Sequence, residues 1–67
     1  MIKIKVNGKE KEIKEKVYIA DFLKEINVKI ETVFIAHNGT IAGKNLLDKT
    51  VLKDGDELEI LRITAGG

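Results

Sequence analysis

The chain has 67 residues, 43% of them hydrophobic, and its 12 basic and 11 acidic residues give a formal net charge of +1 at pH 7. This length allows a single small domain, and the lack of cysteine excludes disulfides and thiol chemistry. The near balance of charges and the presence of only one tyrosine and two phenylalanines argue against a nucleic-acid partner, because such binding needs a basic patch and stacking aromatic rings.

The first 14 residues carry the pattern of a β-hairpin. Residues 2–6 (IKIKV) alternate between apolar and charged, as in a strand with one buried face. Asn7 and Gly8 follow directly, and both residue types tolerate the positive φ of a tight hairpin turn. Residues 9–14 return as a second strand, rich in lysine and glutamate, with Ile13 pointing inward. Such charge is typical of an edge strand, where it discourages pairing with other molecules.

The hydrophobic period then changes, and residues 17–26 predict the main helix, of roughly two to three turns. The apolar positions at i, i+3, i+4 and i+7 are Ile19, Phe22, Leu23 and Ile26. This spacing places them on one stripe of the helix, which we interpret as the side that faces the core. The predicted start of the helix lacks a good capping residue.

Further strands follow the helix. After a connection over residues 27–32, residues 33–37 predict a third strand, and an Asn-Gly turn leads into residues 40–42. Residues 43–50 are irregular, with one short helical turn expected near Leu46 and Leu47. The Asp-Gly-Asp segment at 54–56 predicts a turn.

The last strand is predicted over residues 57–63, with Leu58 and Ile60 on its inner face. Both this strand and the first are apolar enough to lie side by side at the centre of a sheet, and one helix across a mixed sheet buries one face of each element. We therefore predict an α+β fold of the β-grasp (ubiquitin-like) type, with a mixed sheet of about four to five strands and one main helix across one face. The domain is expected to span residues 1–63 and to be followed by a flexible C-terminal tail at 64–67.

No residue pattern predicts a catalytic centre. The sequence contains neither serine nor cysteine, so His37 has no such nucleophile to activate, and we interpret it as a strand histidine at the rim of the sheet. Asp54 and Asp56 form too short a series of oxygen ligands for calcium and are assigned to the turn. The glycine spacing matches no phosphate-binding loop. We expect no catalytic residue, metal or bound cofactor in this chain.

The sequence also lacks the patterns of membrane and secreted proteins. Its apolar runs are too short to cross a bilayer, and its start lacks the basic and apolar segments of a secretory signal. We therefore expect a cytoplasmic protein that is monomeric by itself and binds neither membrane nor nucleic acid.

Strand alternation predicts an apolar patch on the sheet. If Leu58 faces the helix, the alternate positions on the third and last strands face outward. The apolar residues at these positions are Phe34, Ala36, Leu61 and Ile63. Exposed apolar patches on small domains commonly mark partner surfaces, so we predict that a partner binds here, beside the root of the tail.

The tail itself is the second candidate site. It consists of Thr64, Ala65, Gly66 and Gly67. Two consecutive glycines carry no side chains and restrict the backbone little. A slim end with a bare carboxylate suits a chain whose own C-terminus is the reactant, and it also suits a frayed terminus without a role.

With the strand order, the patch and the tail in view, the chain resembles the ThiS/MoaD sulfur carriers, and among them it is most similar to ThiS. The resemblance covers essentially the whole chain and is carried by residues 6–9 (VNGK), 19–23 (IADFL), 38–41 (NGTI), 51–61 (VLKDGDELEIL) and 65–67 (AGG). The D-G-D turn and the strand that runs into a terminal G-G are the more specific parts.

The resemblance implies a protein co-substrate rather than an enzyme. In such carriers an E1-like, ThiF-type adenylating partner uses ATP and Mg²⁺ to convert the carboxylate of the last glycine, here Gly67, into an acyl-adenylate. Sulfur from a cysteine persulfide donor then replaces AMP and leaves a thiocarboxylate. A ThiG-type thiazole synthase takes this sulfur for the thiazole ring of thiamine.

Two other functions remain open from the sequence. The small subunit of molybdopterin synthase uses the same tail chemistry, although that family is usually longer. A ubiquitin-like interaction module would use the fold and the patch without any activation of the tail.

Overall fold

Five strands and one main helix make up half of residues 1–62, the part of the chain that this computed structural model describes. The strands are β1 (Ile2–Val6), β2 (Lys9–Ile13), β3 (Val33–His37), β4 (Thr40–Ala42) and β5 (Glu57–Arg62). The helices are α1 (Ile19–Glu25) and the short α2 (Lys44–Leu47), with a 3₁₀ turn at Ile30–Thr32. Ile63 and residues 64–67 lie outside the described residues, so the tail and its boundary with the domain stay predictions.

The strands form one mixed sheet in the order β2-β1-β5-β3-β4. β1 and β5 pair in parallel, with Lys5 opposite Glu57, and the other neighbouring strands pair antiparallel. The first strand and β5 therefore lie side by side, as predicted, and β5 is held between β1 and β3. With α1 packed on one face, the sheet has the predicted α+β, β-grasp architecture, which is confirmed.

The helix α1 is shorter than the predicted 17–26. Tyr18 stands at its N-terminus in an extended conformation, makes no side-chain cap, and forms a β-bridge with Val51. Since Val17 also accepts a backbone hydrogen bond from Leu52, pairing with this segment delays the start of the helix. At the other end Asn27 adopts a φ of 61° and directs the chain out of the helix.

The core lies between α1 and the inner face of the sheet. The predicted helical stripe is confirmed, because Ile19, Phe22 and Leu23 are fully buried and Ile26 packs against them. The sheet, α2 and the segment after α2 complete the cluster with Ile4, Ile13, Val33, Ile35, Leu47, Leu52 and Leu58. Burial of such side chains, at about 25 cal/mol per Å² of apolar surface, is the main stabilising contribution in a domain of this size.

The edge strand β2 carries its charge on both faces. Lys11 lies opposite the buried Ile4 and therefore on the helix side of the sheet, yet it is exposed because, within residues 1–62, β2 is the last strand on this side of the sheet. Inward-facing lysines on an edge strand oppose pairing with another chain, which supports the prediction that this strand is an edge. Within residues 1–62 no helix has the length and apolar character needed to cross a membrane.

Candidate functional site

The strand that leads to the predicted reactive end is anchored over its whole described length. β5 pairs with β3 from His37 opposite Leu58 to Val33 opposite Arg62. Five such pairs precede the predicted tail site. The tail residues lie outside the described residues: Thr64, Ala65, Gly66 and Gly67. The sheet therefore provides a fixed base immediately before the segment in which the chemistry was predicted.

Both Asn-Gly turns hold β5 through their asparagines. Asn7 and Asn38 have φ of 51° and 52°, and each is followed by a glycine with positive φ, as in the predicted hairpin turns. The Asn7 Oδ1 accepts a 2.7 Å hydrogen bond from the Ile60 backbone N–H. The Asn38 Oδ1 accepts a 2.8 Å hydrogen bond from the Glu57 backbone N–H. The Asn38 backbone N–H in turn donates to the Glu57 carbonyl. The sequence predicted the turns but contained no signal for these contacts with β5.

Asp56 is the buried acid at the start of β5, with 8% of its surface exposed. Its carboxylate accepts hydrogen bonds from the Lys53 backbone N–H at 2.9 Å and from the Asn38 amide at 3.1 Å, and it pairs with the His37 Nε2 at 2.8 Å. Burial alone would raise the pKa of Asp56, but the bonds from His37, Lys53 and Asn38 outweigh burial and lower the pKa below its usual value.

The two aspartates of the predicted turn thus have structural roles. Asp54 accepts a 2.8 Å bond from the Lys3 backbone N–H, and Gly55, with φ of 86°, donates to the Lys3 carbonyl. His37 ends β3 as a half-buried partner of Asp56. Within residues 1–62 no group of three histidine, cysteine or acidic side chains is arranged to hold a metal ion.

The outer face of the sheet, which is the face opposite α1, carries exposed apolar side chains. Phe34 and Leu61 lie opposite each other on β3 and β5, and 51% and 41% of their surfaces are exposed. Ile41 on β4 faces the same way and is 56% exposed. We call Phe34, Ile41 and Leu61 the outer patch.

The predicted patch needs one correction. Ala36 faces outward but is only 8% exposed, so the prediction that it adds exposed surface is wrong. It stands between Ile41 and Glu59 on the neighbouring strands, and we attribute its low exposure to these longer side chains. Ile41 takes its place and was missed because a strand of three residues is too short to show a clear alternation. Ile63, the fourth predicted member, lies outside the described residues.

A groove of about 450 Å³ adjoins the outer patch. Its lining includes the apolar Leu61 and Ala36, the charged Lys5, Glu57 and Glu59, and the turn glycines Gly8 and Gly39. The outer face therefore combines a groove in which two glutamates outnumber one lysine with an adjacent apolar surface, next to the strand that leads to the predicted tail.

Comparison with known proteins agrees with this geometry. The sequence profile of the ThiS family matches residues 4–67. The crystal structure of the thiamine biosynthesis protein ThiS from Geobacter metallireducens is 30% identical, with a TM-score of 0.86 over 98% of this chain and 100% of that chain. An NMR structure of a thiamine biosynthesis protein from the same organism is 29% identical, with a TM-score of 0.79 over 98% and 88% of the two chains. No curated protein matches the chain.

The profile match spans nearly the whole chain and includes both the sheet and the C-terminal glycines. The structural match covers the same range at an identity that supports more than a shared fold. The family predicted from the sequence is confirmed: the chain belongs to the ThiS family of small sulfur carrier proteins, which are not themselves enzymes.

Proposed function

We propose that this chain carries sulfur for thiamine biosynthesis as a thiocarboxylate on Gly67. The observation that carries the proposal is the match to the ThiS family, which extends through the last glycine. The similar solved structures, described as thiamine biosynthesis proteins, support thiamine rather than another product. The chain acts as a co-substrate in the cytoplasm, and partner enzymes perform the catalysis.

The chemistry needs a partner because a carboxylate oxygen is a poor leaving group. An E1-like adenylating enzyme with ATP and Mg²⁺ joins the Gly67 carboxylate to the α-phosphorus of ATP and releases pyrophosphate. A persulfide sulfur from a donor enzyme then attacks the carbonyl carbon and AMP leaves. Cleavage of the sulfur–sulfur bond by a thiol yields the thiocarboxylate, which thiazole synthase consumes.

The described part of the chain supports this role by holding β5 rigidly. Its pairing with β3 persists to Arg62, and Asn7 and Asn38 fasten it from both turns. A fixed β5 restricts where the following residues can reach, which lowers the entropy lost when a partner binds them. The outer patch beside β5 supplies apolar contact area for the partner, with Ile63 as its further predicted member.

The test is to incubate the protein with the adenylating enzyme, MgATP and a persulfide donor, and to weigh the product by mass spectrometry. The expected gain is the difference between one sulfur and one oxygen atom, located on Gly67 by fragmentation. A variant that lacks Gly66 and Gly67 should show no gain while its melting temperature is unchanged. Glu15→Gln, at an exposed site in the turn before α1, is the matched control and should react like the wild type.

Two results would contradict the proposal. If the protein gains no sulfur with the adenylating enzyme although it binds that enzyme, it is an interaction module whose tail is not activated. If the thiocarboxylate forms but is consumed by the large subunit of molybdopterin synthase and not by thiazole synthase, the sulfur serves molybdopterin instead of thiamine.

A further inference from the structure

The charges on the outer face are not balanced. In the described strands two lysines and four glutamates point outward: Lys3, Lys5, Glu10, Glu12, Glu57 and Glu59. This face is therefore acidic, although the whole chain carries a formal charge of +1. Lys9 and Lys11 do not offset it, because the register of β2 places them on the helix side, opposite Val6 and Ile4.

Three of the four glutamates have a lysine opposite them in the sheet. Glu10 and Glu57 lie on either side of Lys5, and Glu12 lies opposite Lys3. Residues directly opposite in a sheet are close enough for their charges to attract. These glutamates therefore have a neighbouring cation within the chain.

Glu59 has no lysine directly opposite it. On β3 it lies opposite Ala36, and on the other side β5 is bonded to Asn7, which lies just beyond the end of β1. Along β5 its same-face neighbours are Glu57 and Leu61. Among residues 1–62, the only side-chain ion pair within 4 Å is that of His37 with Asp56. Glu59 is thus an exposed carboxylate that borders the outer patch and has no cation directly opposite it. Lys5 is the one lysine among the described residues that line the groove, and it lies opposite both Glu10 and Glu57.

We propose that Glu59 selects the partner by pairing with a basic side chain, arginine or lysine, that the partner inserts into the groove. This inference rests on the proposed function, because the partner is the enzyme that activates Gly67. The apolar surface around that basic group covers Phe34, Ile41 and Leu61. Glu57 also lines the groove, where it shares Lys5 with Glu10, and the turn glycines Gly8 and Gly39 carry no side chain that would fill the space.

The placement of Glu59 beside an apolar patch determines the strength of this contact. A carboxylate at the border of an apolar contact loses water when the partner docks, so the pair forms in a less polar environment than a pair at the rim. A basic group of the partner then becomes necessary, because an unpaired Glu59 would be left partly buried. Partners with an apolar or acidic group at this position are rejected for the same reason.

The experiment measures the dissociation constant between the intact protein and the adenylating enzyme by calorimetry at low and high salt. Glu59→Gln should weaken binding about tenfold, and Glu59→Lys more strongly, with a smaller dependence on salt than in the wild type. Glu12→Gln and Glu12→Lys are the matched controls, because Glu12 is exposed on the same face but lies opposite Lys3 on the edge strand. Each control should change binding by less than about twofold.

The rate of adenylation at saturating enzyme should be equal for Glu59→Gln and the wild type, because Glu59 contributes to docking and not to the chemistry. Equal losses of binding for the Glu59 and Glu12 variants would overturn the inference, as would an unchanged salt dependence in Glu59→Gln. A dimer of the protein that Glu59→Lys dissociates would also overturn it, since the face would then bind a second copy. If the wild type binds the enzyme but is never adenylated, only the proposed function fails.

Discussion

Asp56 connects three separate parts of the chain through one side chain. Its carboxylate binds the backbone of the preceding turn at Lys53, the end of β3 at His37, and the following hairpin turn at Asn38. A buried acid is stabilising only when such donors replace its lost water. The D-G-D turn in the sequence is therefore more than a reversal of the chain, because its last residue joins β5 to the β3–β4 hairpin.

The lowered pKa of Asp56 makes the stability of the fold depend on pH. In the unfolded chain an aspartate titrates near 3.9, so as the pH falls the unfolded state takes up this proton before the folded state does. The stabilisation by Asp56 is therefore fully present above about pH 5 and is lost as the pH falls below about 4, through the lowered pKa of the folded state.

Asp56→Asn should reduce the free energy of unfolding at neutral pH by about 2 kcal/mol, because an amide cannot accept all three bonds. Urea unfolding from neutral to acidic pH should show the difference from the wild type shrinking below about pH 4. Asp48→Asn, at an exposed carboxylate, is the control. A difference that stays constant down to the acid end would refute this role of Asp56.

The strand β5 depends on both hairpins for its position. The ladder between β1 and β5 pairs only two residues of each, and the Asn7 side chain extends it by one further bond to Ile60. On the other side Asn38 bonds both backbone groups of Glu57. The strand that leads to the predicted reactive end is thus fastened on two sides by residues that also form tight turns.

Replacement of Asn7 should test this fastening. Asn7→Gly keeps the positive φ but removes the acceptor of the Ile60 N–H, and it should lower the free energy of unfolding by about 1 kcal/mol. Asn7→Asp keeps an acceptor oxygen, so its free energy of unfolding should fall by less than that of Asn7→Gly. Hydrogen exchange of the Ile60 amide should accelerate in Asn7→Gly and not in Asn7→Asp. If the two variants are equally stable and Ile60 exchanges at the same rate in both, the side-chain bond is unimportant.

The two faces of the sheet have different roles: the inner face contributes to stability, and the outer face is the proposed surface for partner binding. The inner face, with Leu58 almost fully buried, forms the core, whereas the outer face exposes Phe34 and Leu61. Adjacent residues of one strand therefore contribute to different properties, because strand side chains alternate between the faces. A change on the outer face can alter partner binding while the fold is kept.

Single substitutions on the two faces should differ accordingly. Leu58→Ala should cost about 2 to 5 kcal/mol because it leaves a cavity in the core. Phe34→Ala and Leu61→Ala should change stability by only about 0.5 kcal/mol, since these side chains are largely exposed. Binding to the adenylating enzyme should nevertheless weaken in both outer variants, as measured by calorimetry. Normal binding by both, with intact folding, would show that the outer patch is not the docking surface.

The local pattern of residues was enough to predict the elements, their order and the family. Period-two alternation in β1 and β5 and the helical stripe of Ile19, Phe22 and Leu23 each act over a few neighbouring residues, so they can be read directly from the chain. The Asn-Gly turns are equally local, because φ preference belongs to the residue itself. The reactive group that we propose was also predicted from the sequence, because the pair of glycines at 66–67 is a local feature.

The surroundings of each side chain depended on contacts between distant segments. The bond from Ile60 to Asn7 spans 53 positions and that from Lys3 to Asp54 spans 51, and neither leaves a trace in local periodicity. The low exposure of Ala36 and the lack of a cation directly opposite Glu59 follow from the residues opposite them on neighbouring strands. Strand register is set by long-range packing, so only the assembled sheet shows which outward residues are exposed and which are paired.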